Sequence, residues 1–311
     1  MVSFRTRIAE KGVRLMLRSE PRTAQDAVLR FRRALNRLHV PTIPVRGVRE
    51  FSREVAGVSC LVLEPKNPVN TLLYAHGGGF VAGHPGIYRN MGLRLAKRLN
   101  ARVILPDYRK APEHPFPAGP DDVLSVYRSL LSSGQDPKHL LVGGDSAGGA
   151  MALSTLIGAR DEGLVQPAGC VVLSPSTDQS SYGGTHESNA SSDPMLSPQL
   201  IERLQESYVP DASQRTHPRA SPVLADWTGC APLIVVVSRS ECLYGHSLRL
   251  AAKAREAGVS VTFHEEDDRM HVWPVFVPFL PESVLTLNWL GDAMAAMLER
   301  AREQSADAAV V

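Results

Sequence analysis

Between residues 48 and 264, short apolar runs alternate with longer stretches in which apolar residues recur every third or fourth position. The short runs, at 48–55, 58–64, 71–75, 102–105, 139–142, 170–173, 233–237 and 259–264, predict strands. The longer stretches at 92–99, 121–131, 149–161 and 247–257 carry helical spacing and fall between them. Strands that are apolar on both faces and separated by helices predict a mostly parallel central sheet covered on both sides. In such α/β sheets the reactive groups gather at the carboxyl ends of the strands. Upstream, Val28, Phe31, Leu35 and Leu38 mark one apolar helical face with arginines opposite, and residues 41–47 form a proline-interrupted linker. From 174 to 227 the alternation stops. That stretch is rich in Ser, Pro, Asp and Gly around one clear helix at 198–208, and an excursion of this kind is expected to serve as a lid or cap.

Composition removes several classes without choosing a function. A chain of 311 residues with 43% hydrophobic and 21% charged residues is an ordinary globular protein, neither disordered nor membrane-spanning. Its net charge of +2 hides a basic N-terminal segment, in which Arg5, Arg7, Lys11, Arg14 and Arg18 are followed by Arg30, Arg32, Arg33 and Arg37. That segment is read as the solvated face of packed helices in preference to a nucleic-acid or anionic-lipid contact, and no stable membrane insertion is expected. Cys60, Cys170, Cys230 and Cys242 are widely spaced and form no C-x-x-C pair, so neither a disulfide framework nor a zinc site is expected. Charges interrupt the first nineteen residues, which leaves no signal-peptide core and makes a cytoplasmic location the expectation.

The chemistry centres on Gly144-Asp145-Ser146-Ala147-Gly148, which follows the 139–142 run and precedes a small-residue helix. This is the G-x-S-x-G form of a nucleophile elbow, a sharp strand-to-helix turn that exposes a serine above the sheet. The strand at 71–75 runs into His76-Gly77-Gly78-Gly79-Phe80, whose unobstructed backbone offers oxyanion donors. Gly77 and Gly78 are expected to donate alongside the N–H of Ala147, with His76 bracing the loop. The run lacks the lysine and spacing of a phosphate-binding loop.

A serine nucleophile needs a histidine base, and that base needs a carboxylate to orient it. Of His186, His217, His246, His264 and His271, the last is the best placed, in the loop after the final predicted strand. Glu241 is the only carboxylate between Asp226 and Glu256 and follows the 233–237 strand, while Asp267 and Asp268 remain alternatives. The acidic run 265–268 lacks metal-ligand spacing, and neither a metal nor a cofactor is expected. Phe80, Tyr182, Met195 and Phe279 are candidate pocket walls.

With these residues assembled, the chain resembles the hormone-sensitive-lipase-like, or GDXG, family of carboxylesterases and acetyl hydrolases. The resemblance rests on the 76–80 and 144–149 motifs, Asp107-Tyr108-Arg109 with the block 111–118, Ser192-Asp193-Pro194, and Met270-His271-Val272-Trp273. It implies a single α/β-hydrolase domain over 1–311, with 1–45 and roughly 178–227 contributing to a helical cap. It assigns Ser146 as nucleophile, His271 as base and Glu241 as acid in the hydrolysis of short- to medium-chain acyl esters, and makes the 107–118 block a scaffold for the oxyanion loop. Many relatives carry Asp-Pro-Leu where this chain has Glu241, and Pro-Gly-Met where it has Asp268-Arg269-Met270. A deacetylase or amide hydrolase, a lyase, and a non-catalytic binding protein are the rivals, the last disfavoured by retention of all three residues. Homodimers through an edge strand are common among relatives, and the sequence allows one.

Overall fold

The first two strands, β1 (Val48–Val55) and β2 (Val58–Pro65), form an antiparallel hairpin. Its two-residue turn, Ala56-Gly57, has positive φ at both positions (51° and 79°), the backbone twist that two-residue hairpins require. Six further strands follow: β3 (Asn70–Ala75), β4 (Ala101–Pro106), β5 (Leu140–Asp145), β6 (Gly169–Leu173), β7 (Leu233–Ser238) and β8 (Val261–Glu266). They complete one eight-stranded sheet in the order β1-β2-β4-β3-β5-β6-β7-β8, parallel from β4 onward. This computed structural model describes residues 2–37, 40–181 and 184–308, so Leu38 lies outside the described residues.

Alternation along the buried strands explains the two cores. Leu72 and Tyr74 of β3, Leu141 of β5 and Ile234 and Val236 of β7 face one side; Leu73, Ala75, Leu140, Val142, Leu233 and Val235 face the other. The first face is covered by α3 (Arg89–Arg98) and α9 (Pro281–Ala308), the second by α4 (Ala118–Ser132), α5 (Ser146–Asp161) and α8 (Tyr244–Glu256). β1 closes one edge and carries Arg49, Glu50, Arg53 and Glu54, charges that discourage further strand pairing there.

The remaining helices lie at the carboxyl ends of the strands or beside them. They are α1 (Phe4–Met16), α2 (Ala24–Arg37), the single turn α6 (Thr185–Ser188) and α7 (Pro198–Tyr208). α2 packs against α7, and Glu282 at the start of α9 accepts from the hydroxyl of Thr6 at 2.6 Å, tying down α1. Most predicted elements recur with shifted ends. The elbow helix starts at Ser146 instead of 149, and β8 begins two residues later than expected. Helix α9 has no counterpart in the sequence reading. Leu287, Leu290, Met294 and Met297 are its buried stripe, but Leu285 is exposed on the far side and the pattern is blurred.

Candidate active site

The turn from β5 into α5 forces Ser146 into the left-handed region (φ 51°), a conformation that costs a non-glycine residue about 1–3 kcal/mol. Its neighbours must be small for a steric reason. A Cβ at Gly144 would strike the carbonyl of Gly148, and one at Gly148 would strike that of Ala75. Ala147 stands in the first turn of α5, where an amide N–H has no partner within the helix, and the helix dipole adds positive potential there.

The glycine loop after β3 is held from behind. Asp145, 1% exposed, accepts from the Tyr88 hydroxyl at 2.9 Å, the Tyr74 hydroxyl at 3.2 Å and the N–H of Gly77 at 3.1 Å. Burial raises its carboxyl to about 6 against these donors and the charge of His271. The Gly77 N–H also reaches the Tyr88 oxygen at 2.8 Å, so it points into the scaffold and is not an oxyanion donor as the sequence suggested. Among the described residues, the N–H groups of Gly78, Gly79 and Ala147 have no protein acceptor. His76 is fully buried and stacked on Tyr108, with Nδ1 2.8 Å from the Gly77 carbonyl. Burial, assisted by the Lys110 charge, pushes its imidazole down to about 3, so it is a neutral brace.

The 107–118 block fastens the same loop. Tyr108 donates to the His76 carbonyl at 2.6 Å and the Ala111 N–H to the Phe80 carbonyl at 3.0 Å. From the N-terminal segment, Arg32 of α2 donates to the carbonyls of Val81 (2.8 Å) and Ala111 (3.0 Å) and to Glu113 (2.7 Å). No motif flags Arg32 in the sequence.

His271 and Glu241 come from the turns after β8 and β7 and are 2% and 0% exposed. His271 Nδ1 lies 3.5 Å from Glu241 Oε2, which also accepts from the Ser174 hydroxyl at 2.8 Å. Ser174 and Val272 both have positive φ (48° and 53°), and for β-branched Val272 that is a marked strain. The two turns are stitched together, since Arg269 N–H donates to the Ser238 hydroxyl and Asp268 N–H to that of Ser240. Burial opposes the imidazolium of His271, but the Glu241 carboxylate, with the charges of Asp193 and Asp145, outweighs this and holds the imidazole above its ordinary value. Burial likewise raises Glu241, partly countered by His271. Among the described residues, neither ring nitrogen of His271 makes a hydrogen bond: Nδ1 meets Glu241 only as the 3.5 Å ion-pair contact, and Nε2 has no protein partner.

The other candidates lie elsewhere. Asp267 is exposed and paired with Arg239, and Asp268 is exposed as well. His186 and His246 contact each other at 3.0 Å, His217 packs on Phe116, and His264 stacks on Trp289. Among the described residues no metal-binding cluster of His, Cys, Asp and Glu occurs, and all four cysteines are buried and unpaired.

Ser146, His271 and the glycine loop open onto one cavity of about 180 Å³. Of the candidate walls, Met195 and Phe279 line it and Phe80 does not. Its positive φ (67°) turns the ring away to stack on Tyr208 at 3.8 Å. Tyr182 lies outside the described residues. Leu17, Phe31, Leu35, Leu204 and Val275 add to the apolar lining; Phe31 and Leu35 were read in the sequence as one apolar helical face, which did not distinguish cavity wall from core.

The family model of the α/β-hydrolase fold matches residues 72–275. An acetyl-hydrolase of Streptomyces hygroscopicus is 37% identical over 212 residues, 68% of this chain and 71% of that one. An esterase of Acinetobacter venetianus is 31% identical, covering 78% of this chain and 79% of its own. Among solved structures, an esterase of the bacterial hormone-sensitive lipase family superposes with a TM-score of 0.86 at 30% identity, covering 96% of this chain and all of that one. EstE5 soaked with p-nitrophenyl butyrate gives 0.87 at 33% identity, covering 96% and 99%. By its elbow, sheet and these likenesses, the chain belongs to the α/β-hydrolase family and, within it, to the hormone-sensitive-lipase-like esterases.

Proposed function

We propose that this carboxylic ester hydrolase cleaves short- to medium-chain acyl esters with Ser146 as nucleophile, His271 as general base and Glu241 as the carboxylate that orients it. The observation that carries the reading is the meeting, in one apolar cavity, of the strained Ser146, the partnerless Nε2 of His271 and the free N–H groups of the glycine loop. Glu241 beside Nδ1 keeps the ring proton there and leaves the lone pair on Nε2. His271 takes the Ser146 proton as the hydroxyl oxygen attacks the ester carbonyl. The N–H groups of Gly78, Gly79 and Ala147 donate to the developing oxyanion, each worth about 10²–10³ in rate. His271 then protonates the departing alkoxide, and water repeats the sequence on the acyl-enzyme.

The chain acts as one domain in this reading, with segments 1–45 and 178–227 forming the cap over the cavity. Leu17 and Phe31 from the first and Met195 and Leu204 from the second supply its walls. At about 30 Å³ per water-sized volume, 180 Å³ holds about six non-hydrogen atoms, enough for an acetyl to pentanoyl group. The butyryl group of the p-nitrophenyl butyrate soaked into EstE5 falls in that range, as does the acetyl group named for the Streptomyces relative. The test is hydrolysis of p-nitrophenyl acetate and butyrate by the enzyme and by Ser146→Ala, with mass spectrometry after a phosphonate inhibitor. Loss of about 10³-fold or more in kcat and one adduct on Ser146 support the reading. Undiminished turnover in the variant overturns it.

A further inference from the structure

The two most exposed large hydrophobic side chains among the described residues, Leu15 (88%) and Phe4 (77%), lie on the same helix, α1. Ile8 (55%) and Met16 (42%) join them there. Phe4, Ile8, Lys11 and Leu15 follow helical spacing along one outer stripe, while Thr6, Val13 and Leu17 are buried on the inner side. The helix is therefore apolar twice over. Its inner stripe packs on the protein, and its outer stripe meets solvent.

The outer stripe is also cationic. Arg5, Arg7, Lys11 and Arg14 are all exposed, and Glu10 is the only acid on α1. A shallow groove of about 760 Å³ runs along the helix, with Phe4, Arg7, Glu10, Lys11 and Arg14 on one wall and Pro194, Asp268 and Arg269 on the other, so its lining carries four cations against two carboxylates. The sequence alone assigned these arginines to a solvated face; exposed Phe4, Ile8 and Leu15 between them do not fit that assignment.

We propose that α1 is a docking surface for an anionic phospholipid bilayer, lying in the plane of the interface with Phe4, Ile8 and Leu15 inserted and the basic side chains on the headgroups. Interleaved bulky apolar and basic residues on a surface helix are the composition that binds such interfaces. Among the described residues no helix is long and apolar enough to cross a membrane, so the contact is peripheral. A second copy of this face is disfavoured, because a symmetric pair would set these cations against one another. An acidic protein fits less well. Protein interfaces have charge-depleted centres, whereas Lys11 sits inside the apolar stripe, where a long ammonium stem can snorkel to the headgroups. Leu17, one residue beyond α1, is in the wall of the reactive cavity, so docking sets the cap of the enzyme against the lipid.

The test is co-sedimentation of the full chain with vesicles of phosphatidylcholine, with and without phosphatidylglycerol, at low and high salt. Binding to the phosphatidylglycerol vesicles is expected, reduced about tenfold or more by high salt and by the double substitution Ile8→Glu with Leu15→Glu. The variant's thermal midpoint and its hydrolysis of soluble p-nitrophenyl acetate should match the parent, which separates lost docking from misfolding. Failure to bind phosphatidylglycerol vesicles, binding that the double substitution leaves intact, or equal retention by soluble polyglutamate overturns the proposal.

Discussion

Replacing Asp145 by asparagine should make the enzyme less stable at pH 4 and equally or more stable at pH 8. Its carboxyl titrates near 6, against an ordinary value of 3.8, because burial penalises the charge more than Tyr88, His271, Tyr74 and Gly77 support it. A carboxyl raised in the folded state holds its proton between those values while the unfolded chain has released it. Its contribution to stability is full below 3.8 and lost as pH rises through 6, a change of about 3 kcal/mol over the window. Asparagine is neutral throughout and escapes that loss. It has its own cost. With the amide oxygen in the Oδ1 place, Tyr74 and Gly77 keep their acceptor, but the amide NH₂ faces a Tyr88 oxygen that already accepts from Gly77. The Tyr88 proton is then stranded, at about 1–3 kcal/mol. Relative to the parent, the variant should be about 1–3 kcal/mol weaker at pH 4 and between equal and about 2 kcal/mol stronger at pH 8. Urea midpoints across this range, read as the difference between the two proteins, check it. A difference that does not change with pH, or a variant more than about 3 kcal/mol weaker at pH 8, refutes the account of Asp145 as a penalised buried anion.

Substitutions at Glu241, Gly79 and Arg32 also bear on the site. Glu241→Gln should lower kcat/KM by about 10³–10⁴; because the base must be neutral and Glu241 raises the His271 value, the acid limb of the pH profile should move to lower pH, whereas Asp267→Asn should move neither. An unmoved limb would detach Glu241 from His271. Gly79→Ala should cut kcat by about tenfold or more, because its φ is +58° and its new Cβ would lie 2.7 Å from Leu204 Cδ1 and 3.2 Å from Phe31 Cε1; adding Leu204→Ala should recover part of the loss, as read in steady-state kinetics. Arg32→Met should lower stability by about 2 kcal/mol, mostly through the carbonyls of Val81 and Ala111 since Glu113 is exposed, and Arg32→Lys should not restore it because a point-like ammonium cannot span the three acceptors. Full rescue by lysine in thermal unfolding would mean that charge alone is needed.

What could be read along the chain was what local pattern determines. The parallel sheet follows from short apolar runs separated by helices, and Ser146 from glycines that admit no side chain. Glu241 is the only carboxylate its loop offers, but Asp267 and Asp268 stayed open until the fold placed them at the surface. The start of α5 at Ser146 was not legible, because no propensity places a serine at φ 51°. Three glycines in a row indicate that N–H groups are free, yet which of them face the substrate depends on Asp145 and Tyr88, 68 and 11 residues from Gly77. Phe80 beside the loop was equally compatible with pocket wall and core. Only the backbone turn there sends it to Tyr208.

The division has a structural cause. Ser146, Glu241, His271 and the glycine loop all follow the carboxyl ends of strands β5, β7, β8 and β3, so strand order brings them together whatever covers the sheet. A motif at a strand end therefore carries its position with it. The cavity walls are different, since Leu17, Phe31, Met195, Leu204 and Phe279 meet only because α1, α2 and α7 pack over that edge, and any apolar residue of similar volume would satisfy each segment alone. The placing of these groups thus follows from topology and the shape of the cavity from packing between distant helices, which is why the sequence identifies the reaction class more sharply than the pocket.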